Sequence, residues 1–316
     1  MAASTKSVGT HLLNAFRGGL MGTAEVIPGV SGGTVALITG IYDRLIISAG
    51  HTVSGAKLAV SDLPRGKGTD RAAAEFRRVH WALVIAVMAG MIVAVLTAAK
   101  LVSPLVEEHP QQSFAVFFGL VLASLWVPYS GSGRSWSPAN YLLALAVAAV
   151  TFVLTGLPPT EIEPHPLIVM AAAAVAICAL VLPGVSGSFM LLAIGLYTTT
   201  MDAINDRDLG YVSTFALGAL IGLALFVKLL QWLLERHHHL THVVMTGLLA
   251  GSLRALWPWQ PWESGERDLL APSGDVVVTV GLMLLGVVIV LGVLAIEHKT
   301  HRNTKETGSQ STGTLA

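Results

Sequence analysis

The sequence predicts an all-α polytopic membrane protein built from two inverted repeats, each a broken, re-entrant helical hairpin followed by three transmembrane helices. Three observations predict it. The 316 residues are 53% hydrophobic and only 12% charged, with a mean hydropathy of +0.68, a composition of membrane-embedded chains rather than soluble domains. The pentapeptide Pro-Gly-Val-Ser-Gly occurs at 28–32 and again at 183–187, both times inside a long apolar stretch. All the Lys/Arg clusters fall on one side of the membrane under a single assignment of crossings, as the positive-inside rule requires.

The first element, residues 10–50, holds the first copy of the motif and is long enough for two crossings or for one hairpin broken at Pro28-Gly29. Spans follow at 81–102, 113–128 and 140–157. The first of them is about 33 Å of helix at ~1.5 Å per residue, enough to cross a bilayer core. The second broken element, 166–200, holds the second copy, and spans follow at 211–234, 242–258 and 276–297. Residues 113–128 and 242–258 are short for a crossing and need polar flanks or enclosure by protein. The first repeat thus occupies residues 1–157, with a basic loop at 50–80, and the second occupies 158–297. Residues 298–316, rich in Thr, Ser, Gly and charge, read as a disordered cytoplasmic tail.

Charge sets the orientation. The 50–80 loop carries Lys57, Arg65, Lys67, Arg71, Arg77 and Arg78, which places it in the cytoplasm. Counting outward, Arg134, Arg236, Lys299, Arg302 and Lys305 fall inside, and Glu107, Glu108, Glu161, Glu163, Asp202, Asp206 and Asp208 fall outside. Both termini are then cytoplasmic, in a multi-pass protein of the cytoplasmic membrane, and the polar N-terminus is not read as a cleaved signal peptide. An even number of crossings plus three is odd, so the second half is upside down relative to the first. A second match supports the repeat: Phe-Gly-Leu-Val-Leu-Ala-Ser at 118–124 resembles Thr-Gly-Leu-Leu-Ala-Gly-Ser at 246–252. Inverted repeats with Pro/Gly-broken helices mark the binding sites of many alternating-access transporters.

The motif has its own chemistry. Backbone groups freed at a break in lipid are costly unless they line a cavity or meet a ligand. Pro starts a helix without losing a bond, Gly lets a ligand approach the backbone, and Ser caps the helix or offers a hydroxyl. The free N–H groups of a helix start favour an anion, phosphate above all. Candidate phosphate ligands are therefore Pro28, Gly29, Ser31, Gly32, Gly33 and Thr34 in one half, and Pro183, Gly184, Ser186, Gly187 and Ser188 in the other. The competing reading is that these small residues only let helices pack closely.

Charged residues within apolar segments extend the list. Arg254 is a candidate phosphate partner, because its guanidinium fork matches phosphate oxygens. Lys100 reads as a snorkelling side chain, and Lys228 as pairing with Glu235 or reaching the interface. Glu25, three residues before Pro28, and Asp43 are candidates for coupling transport to a proton or sodium ion. A pair with Arg17 competes for Glu25, and a solvated hairpin end competes for Asp43. His238 and His242 are four apart, but no neighbouring carboxylate or cysteine completes a familiar site, so no metal is expected. Trp126, Trp257, Trp259 and Trp262 read as an interfacial belt. Lys+Arg and Asp+Glu balance at 19 each and Cys178 is the one cysteine, which argues against a nucleic-acid partner and excludes an intrachain disulfide. No phosphate-binding Gly-rich loop, nucleophile elbow or zincin motif is present, so no enzyme and no cofactor is expected.

Residues 21–34 with Gly40-Ile41-Tyr42, and 182–188 with Gly195-Leu196-Tyr197, resemble the paired signatures of a bacterial and archaeal membrane family. That family was first filed as a domain of unknown function and is now assigned as polyprenyl-phosphate transporters. Residues 247–258, including Gly251-Ser252-Leu253-Arg254, resemble its later block, so the resemblance covers most of 12–297. It implies a flippase that returns undecaprenyl or decaprenyl phosphate from the outer to the cytoplasmic leaflet for reuse in cell-wall synthesis. Glu25 departs from the Asp expected there. A small-anion channel or exchanger would use the same helix-end chemistry without a groove for a lipid tail. A lipid-phosphate phosphatase would need more than His11 and Glu25.

Overall fold

A computed structural model describes residues 2–26, 31–157, 162–261 and 268–312 of the chain. Among these residues the secondary structure is helical throughout, without a strand. The first half contains α1 (Ala2–Val26), α2 (Gly32–Ile38), α3 (Tyr42–Asp62), α4 (Asp70–Arg77), α5 (Trp81–Glu108), α6 (Pro110–Ser124), α7 (Trp126–Gly131) and α8 (Pro138–Leu154). The second contains α9 (Pro166–Val181), α10 (Gly187–Ile194), α11 (Tyr197–Asn205), α12 (Leu209–Arg236), α13 (His238–Ser252), a 3-10 turn (Leu253–Leu256) and α14 (Val276–Thr312).

Local chemistry sets many of the ends. Pro110, Pro138 and Pro166 each open a helix at its first position, where the missing N–H is no loss. Asp208 caps α12, its carboxylate accepting from Gly210 N at 2.9 Å and Tyr211 N at 3.0 Å. The repeated sequence folds the same way twice. Ser31 precedes α2 at φ −117°, ψ 127°, and Ser186 precedes α10 at φ −102°, ψ 133°. Gly40 (φ 66°) and Gly195 (φ 88°) end those helices in the left-handed conformation. The next residue closes an identical bond back across the turn, Ile41 N to Ala36 O and Leu196 N to Leu191 O, each 3.0 Å, the Schellman arrangement that glycine permits.

Four helix pairs carry most of the packing: α1 with α5, α9 with α12, α6 with α14, and α8 with α13. Each crosses over small residues. A methyl group on Gly18 would run into the Val87 carbonyl, one on Gly90 into Ala15, one on Gly286 into Val116, and one on Gly218 into Met170. Gly247 and Gly251 likewise sit against Ala144 and Ala148 of α8. Close backbone approach of this kind drives association where lipid removes the hydrophobic incentive. The outward faces are apolar. Ile85, Leu96, Leu142, Leu145, Leu220, Leu225, Val277 and Val288 are 63% to 86% exposed, a surface that water would not tolerate at this extent. Residues Pro110–Gly131, Leu209–Arg236 and Val276–Ala295 are each long and apolar enough to cross a membrane, while α8 and α9 are shorter apolar helices. The chain is an all-helical protein with the apolar helices of a polytopic membrane protein.

The structure differs from the sequence reading in four places. The 50–80 segment is not an open loop but the end of α3 folded against α4, clamped by His51 Nδ1 to Glu75 Oε2 at 2.8 Å and Arg71 to the buried Asp62 at 3.2 Å. Helix α5 continues through Pro104 to Glu108. Helix α14 runs to Thr312, into the segment expected to be disordered, because no proline interrupts 276–312. Trp259 is a core residue, 5% exposed, whose indole donates to Ser273 O at 3.0 Å, and Trp257 donates to Leu270 O at 3.0 Å. These two rings pin 268–275 to the body. Trp262 lies outside the described residues.

Candidate functional site

Helix α2 is buried, packed against α1, α3, α6, α7, α9 and α14, whereas among the described helices α10 packs against α9 and α11. From that position the first motif reaches directly into the second. Ser31 Oγ donates to Leu182 O at 3.2 Å, Gly184 N donates to Thr34 Oγ1 at 2.8 Å, and Tyr42 OH donates to Val181 O at 3.0 Å. Three side chains of the first half thus satisfy backbone groups at the break in the second. Satisfied backbone groups of this kind are what an irregular segment inside a membrane would need. Gly184 must be glycine twice over: its φ is +85°, and a Cβ there would lie 3.0 Å from Leu249 Cα and Ser252 Oγ. Ser124 and Ser252, the matched serines of the later block, fold alike, donating to Val121 O at 2.7 Å and Leu249 O at 2.8 Å.

The remaining predicted residues fall around this junction. Gly33 lets α2 approach the Val181 carbonyl, 3.1 Å from where a Cβ would sit. Glu25 turns toward the first motif, while Arg17 donates to Asn14 Oδ1 at 3.2 Å. Its Oε1 accepts from Gly32 N at 2.8 Å, so a protein carboxylate already occupies the start of α2. Glycine at 32 makes this possible, since a Cβ would lie 2.5 Å from that oxygen. Gly187 lies close to Ala176 O, and the Ser186 and Ser188 hydroxyls bond each other at 2.9 Å. Neither Ser31 nor Ser186 caps its own helix with its side chain. Ser31 is committed to the clasp, while Ser188 is exposed. Pro183 is fully buried. Pro28 and Gly29 lie outside the described residues, as does the side chain of Lys100.

Arg254 stands apart from these contacts. It lies on the 3-10 turn two residues after Ser252, its guanidinium stacked 4.6 Å over Phe152 and against Gly156. Among the described residues its Nε is the one buried side-chain nitrogen or oxygen without a hydrogen-bond partner. Lys228 does not reach Glu235 directly: Nζ donates to the buried Gln231 at 2.6 Å, which donates on to Glu235 at 2.8 Å. An apolar cavity of about 260 Å³ opens beside the first motif, bounded by α1, α3, α5, α9 and α12. Met21, Leu45, Met88 and Leu223 line its apolar wall, and Glu25, Gly33 and Tyr42 line its polar end. Sequence reasoning missed Tyr42 and Ser252 as site residues. The signal was present, since Tyr42 matches Tyr197 and Ser252 matches Ser124 in the repeat. Asp43 opens α3 with a partly exposed carboxylate, in keeping with a solvated hairpin end, 3.5 Å from His238 Nε2.

The profile of the family described as undecaprenyl phosphate translocase-like matches residues 21–269, which include both motifs and Arg254. A protein of Vibrio cholerae named polyprenyl-phosphate transporter is 38% identical over 251 residues, 79% of each chain. A second protein of that name, from Staphylococcus aureus, is 29% identical over 271 residues, covering 79% of this chain and 87% of the relative. No solved structure matches the chain significantly. These names are those of transporters, not enzymes. With 249 of its residues inside the profile and a close relative matched along most of its length, the chain belongs to the undecaprenyl phosphate translocase-like family.

Proposed function

We propose that this protein moves polyprenyl phosphate between membrane leaflets, holding the phosphate where the two motifs meet and the isoprenoid tail in the adjoining apolar cavity. The observation that carries the reading is Arg254, a half-buried cation whose Nε lacks any protein partner, on the turn that follows Ser252, the α13 residue that packs against Gly184 of the second motif. A buried guanidinium N–H without an acceptor is costly, and a guanidinium matches phosphate oxygens. The exposed Ser188 hydroxyl, Ser186 and Gly187 at the start of α10 complete the open side of the site. On the closed side Ser31, Gly32, Gly33 and Thr34 form the wall; Pro28 and Gly29, which precede them in the sequence, stay candidate ligands. The about 260 Å³ apolar cavity at Gly33 and Tyr42 favours a lipid over a small inorganic anion.

Glu25 is an internal competitor for the phosphate, because it already accepts from Gly32 N. Two anions cannot share that N–H without a cation between them, so phosphate arrival drives Glu25 to take up a proton or sodium ion. The two halves act as inverted repeats. Support comes from the matched pairing of α1–α5 with α9–α12 and of α6–α14 with α13–α8, and from the unequal burial of α2 and α10. Exchange of those two environments alternates access. The basic segment is placed in the cytoplasm, and the direction we propose is from the outer to the cytoplasmic leaflet, which recycles the carrier lipid.

Binding to purified protein in nanodiscs tests this. A short-chain polyprenyl phosphate is expected to bind, and the corresponding alcohol and inorganic phosphate to bind far more weakly. Loss of a charge-assisted contact of ~1.5–3 kcal/mol predicts that Arg254→Met weakens the lipid phosphate by roughly 10- to 150-fold without changing the alcohol. Equal binding of alcohol and phosphate would sink the site assignment, and tight inorganic phosphate would favour the small-anion reading.

A further inference from the structure

A second cluster of chemistry lies where the start of α3 meets the start of α13. Asp43, His238 and His242 place one ligand atom each within 4.8 Å of one another. His238 Nε2 and Asp43 Oδ2 are 3.5 Å apart, close to the ~3.3 Å edge of a tetrahedron with bonds of about 2.0 Å to zinc. The two imidazoles stack with centroids 4.1 Å apart, as residues four apart on one helix face do. The tautomer of His242 is fixed by its partner: Nδ1 lies 2.9 Å from the His238 carbonyl, which can only accept. Nδ1 therefore carries the proton and Nε2 presents a lone pair. Orientation of a ligating imidazole by a backbone carbonyl is the usual outer support of a metal site. His242 is 5% exposed, which holds the ring in place.

The neighbouring histidines do not share this arrangement. His239 has both nitrogens committed, to Ser132 O at 3.1 Å and to Asn140 Nδ2 at 2.7 Å. The His237 ring packs on Trp232. His238 borders a cavity of about 570 Å³ formed with Ser132, Arg134, Glu235 and Arg236, which gives an ion a way in.

We infer that Asp43, His238 and His242 form a binding site for a divalent transition-metal ion, zinc by the chemistry of its donors. Two imidazoles and one carboxylate suit zinc rather than magnesium or calcium, which take oxygen ligands. Three protein ligands leave a fourth position for water. The ion ties the first half, one residue after Tyr42 of the motif clasp, to the second half at the start of α13. This site is independent of the phosphate site and stands or falls separately from it.

The test uses full-length protein purified in detergent without a polyhistidine tag. Zinc binding is followed by calorimetry, and cobalt substitution by its visible absorption. One zinc per chain is expected, with the intense visible bands of a four-coordinate cobalt site. His238→Ala and Asp43→Asn, both at partly exposed positions, are each expected to weaken zinc at least tenfold while leaving thermal unfolding in chelator unchanged. His242→Gln guards against a fault of one variant, and His237→Ala is expected to bind as the wild type. Absence of stoichiometric zinc, or zinc affinity unchanged in both His238→Ala and Asp43→Asn, overturns the assignment. Weak, six-coordinate cobalt absorption overturns it as well.

Discussion

Replacing Thr34 with Val removes a hydroxyl but keeps the branched shape. In the structure Thr34 Oγ1 accepts from Gly184 N at 2.8 Å, and Thr34 is 3% exposed. The substitution leaves the Gly184 N–H with no acceptor in a site closed by Leu249 and Ser252. An orphaned buried donor costs about 1–3 kcal/mol, or roughly 5- to 150-fold in the folding equilibrium. Thr34→Ser keeps the oxygen and loses only one methyl group, worth about 1 kcal/mol. Reversible unfolding in mixed detergent micelles measures both against the wild type. Thr34→Val is expected to lose more than Thr34→Ser, and adding Ser31→Ala is expected to be non-additive because both act on one junction. Equal stability of the Val and Ser variants refutes the clasp.

Other consequences follow from the same contacts. Gly286 and Gly281 share α14, but a Cβ at 286 would strike Val116 while nothing lies within 4 Å of one at 281. Gly286→Val is therefore expected to lower the stability by about 1–3 kcal/mol, and Gly281→Val to leave the melting temperature unchanged. Tyr42→Phe removes the donor to Val181 O and is expected to cost roughly 0.5–1.5 kcal/mol, read by the same unfolding assay. Outside the membrane, the bond from His51 holds the Glu75 carboxyl below its ordinary value, with Arg78 and Lys228 adding to it. A depressed carboxyl stabilises above its unfolded pKa and loses that contribution as pH falls through the lower folded value. Unfolding of Glu75→Gln is expected to show a shallower acid limb below about pH 4, with a small amplitude because the pair is near the surface.

Much of this was legible in the sequence, and the parts that were not share a cause. Proline at helix starts, Gly-x-Tyr after the motif and the apolar runs are local signals, and the helices begin and break close to where they point. The repeat was legible because the same turn chemistry is needed twice. What could not be read was the partner of each polar group. Thr34 meets Gly184 from 150 positions away, and Ser31 meets Leu182 from 151; no periodicity encodes such a pairing. Glu25 was flagged for its depth, but its use as a cap for Gly32 depends on how the break folds back. The histidine pair at 238 and 242 has no carboxylate near it in the sequence, whereas Asp43 comes close to it in space from the other half. The 50–80 segment reads as a loop because its charges are dense, yet Asp62–Arg71 and His51–Glu75 use those charges to fold it.

The most direct measurement is movement of polyprenyl phosphate in proteoliposomes, from one leaflet to the other, for wild type, Ser186→Ala and Arg254→Met. The account predicts transport by the wild type, reduced transport by Ser186→Ala, and near-complete loss in Arg254→Met with folding intact. Wild-type rates in a folded Arg254→Met protein would contradict it.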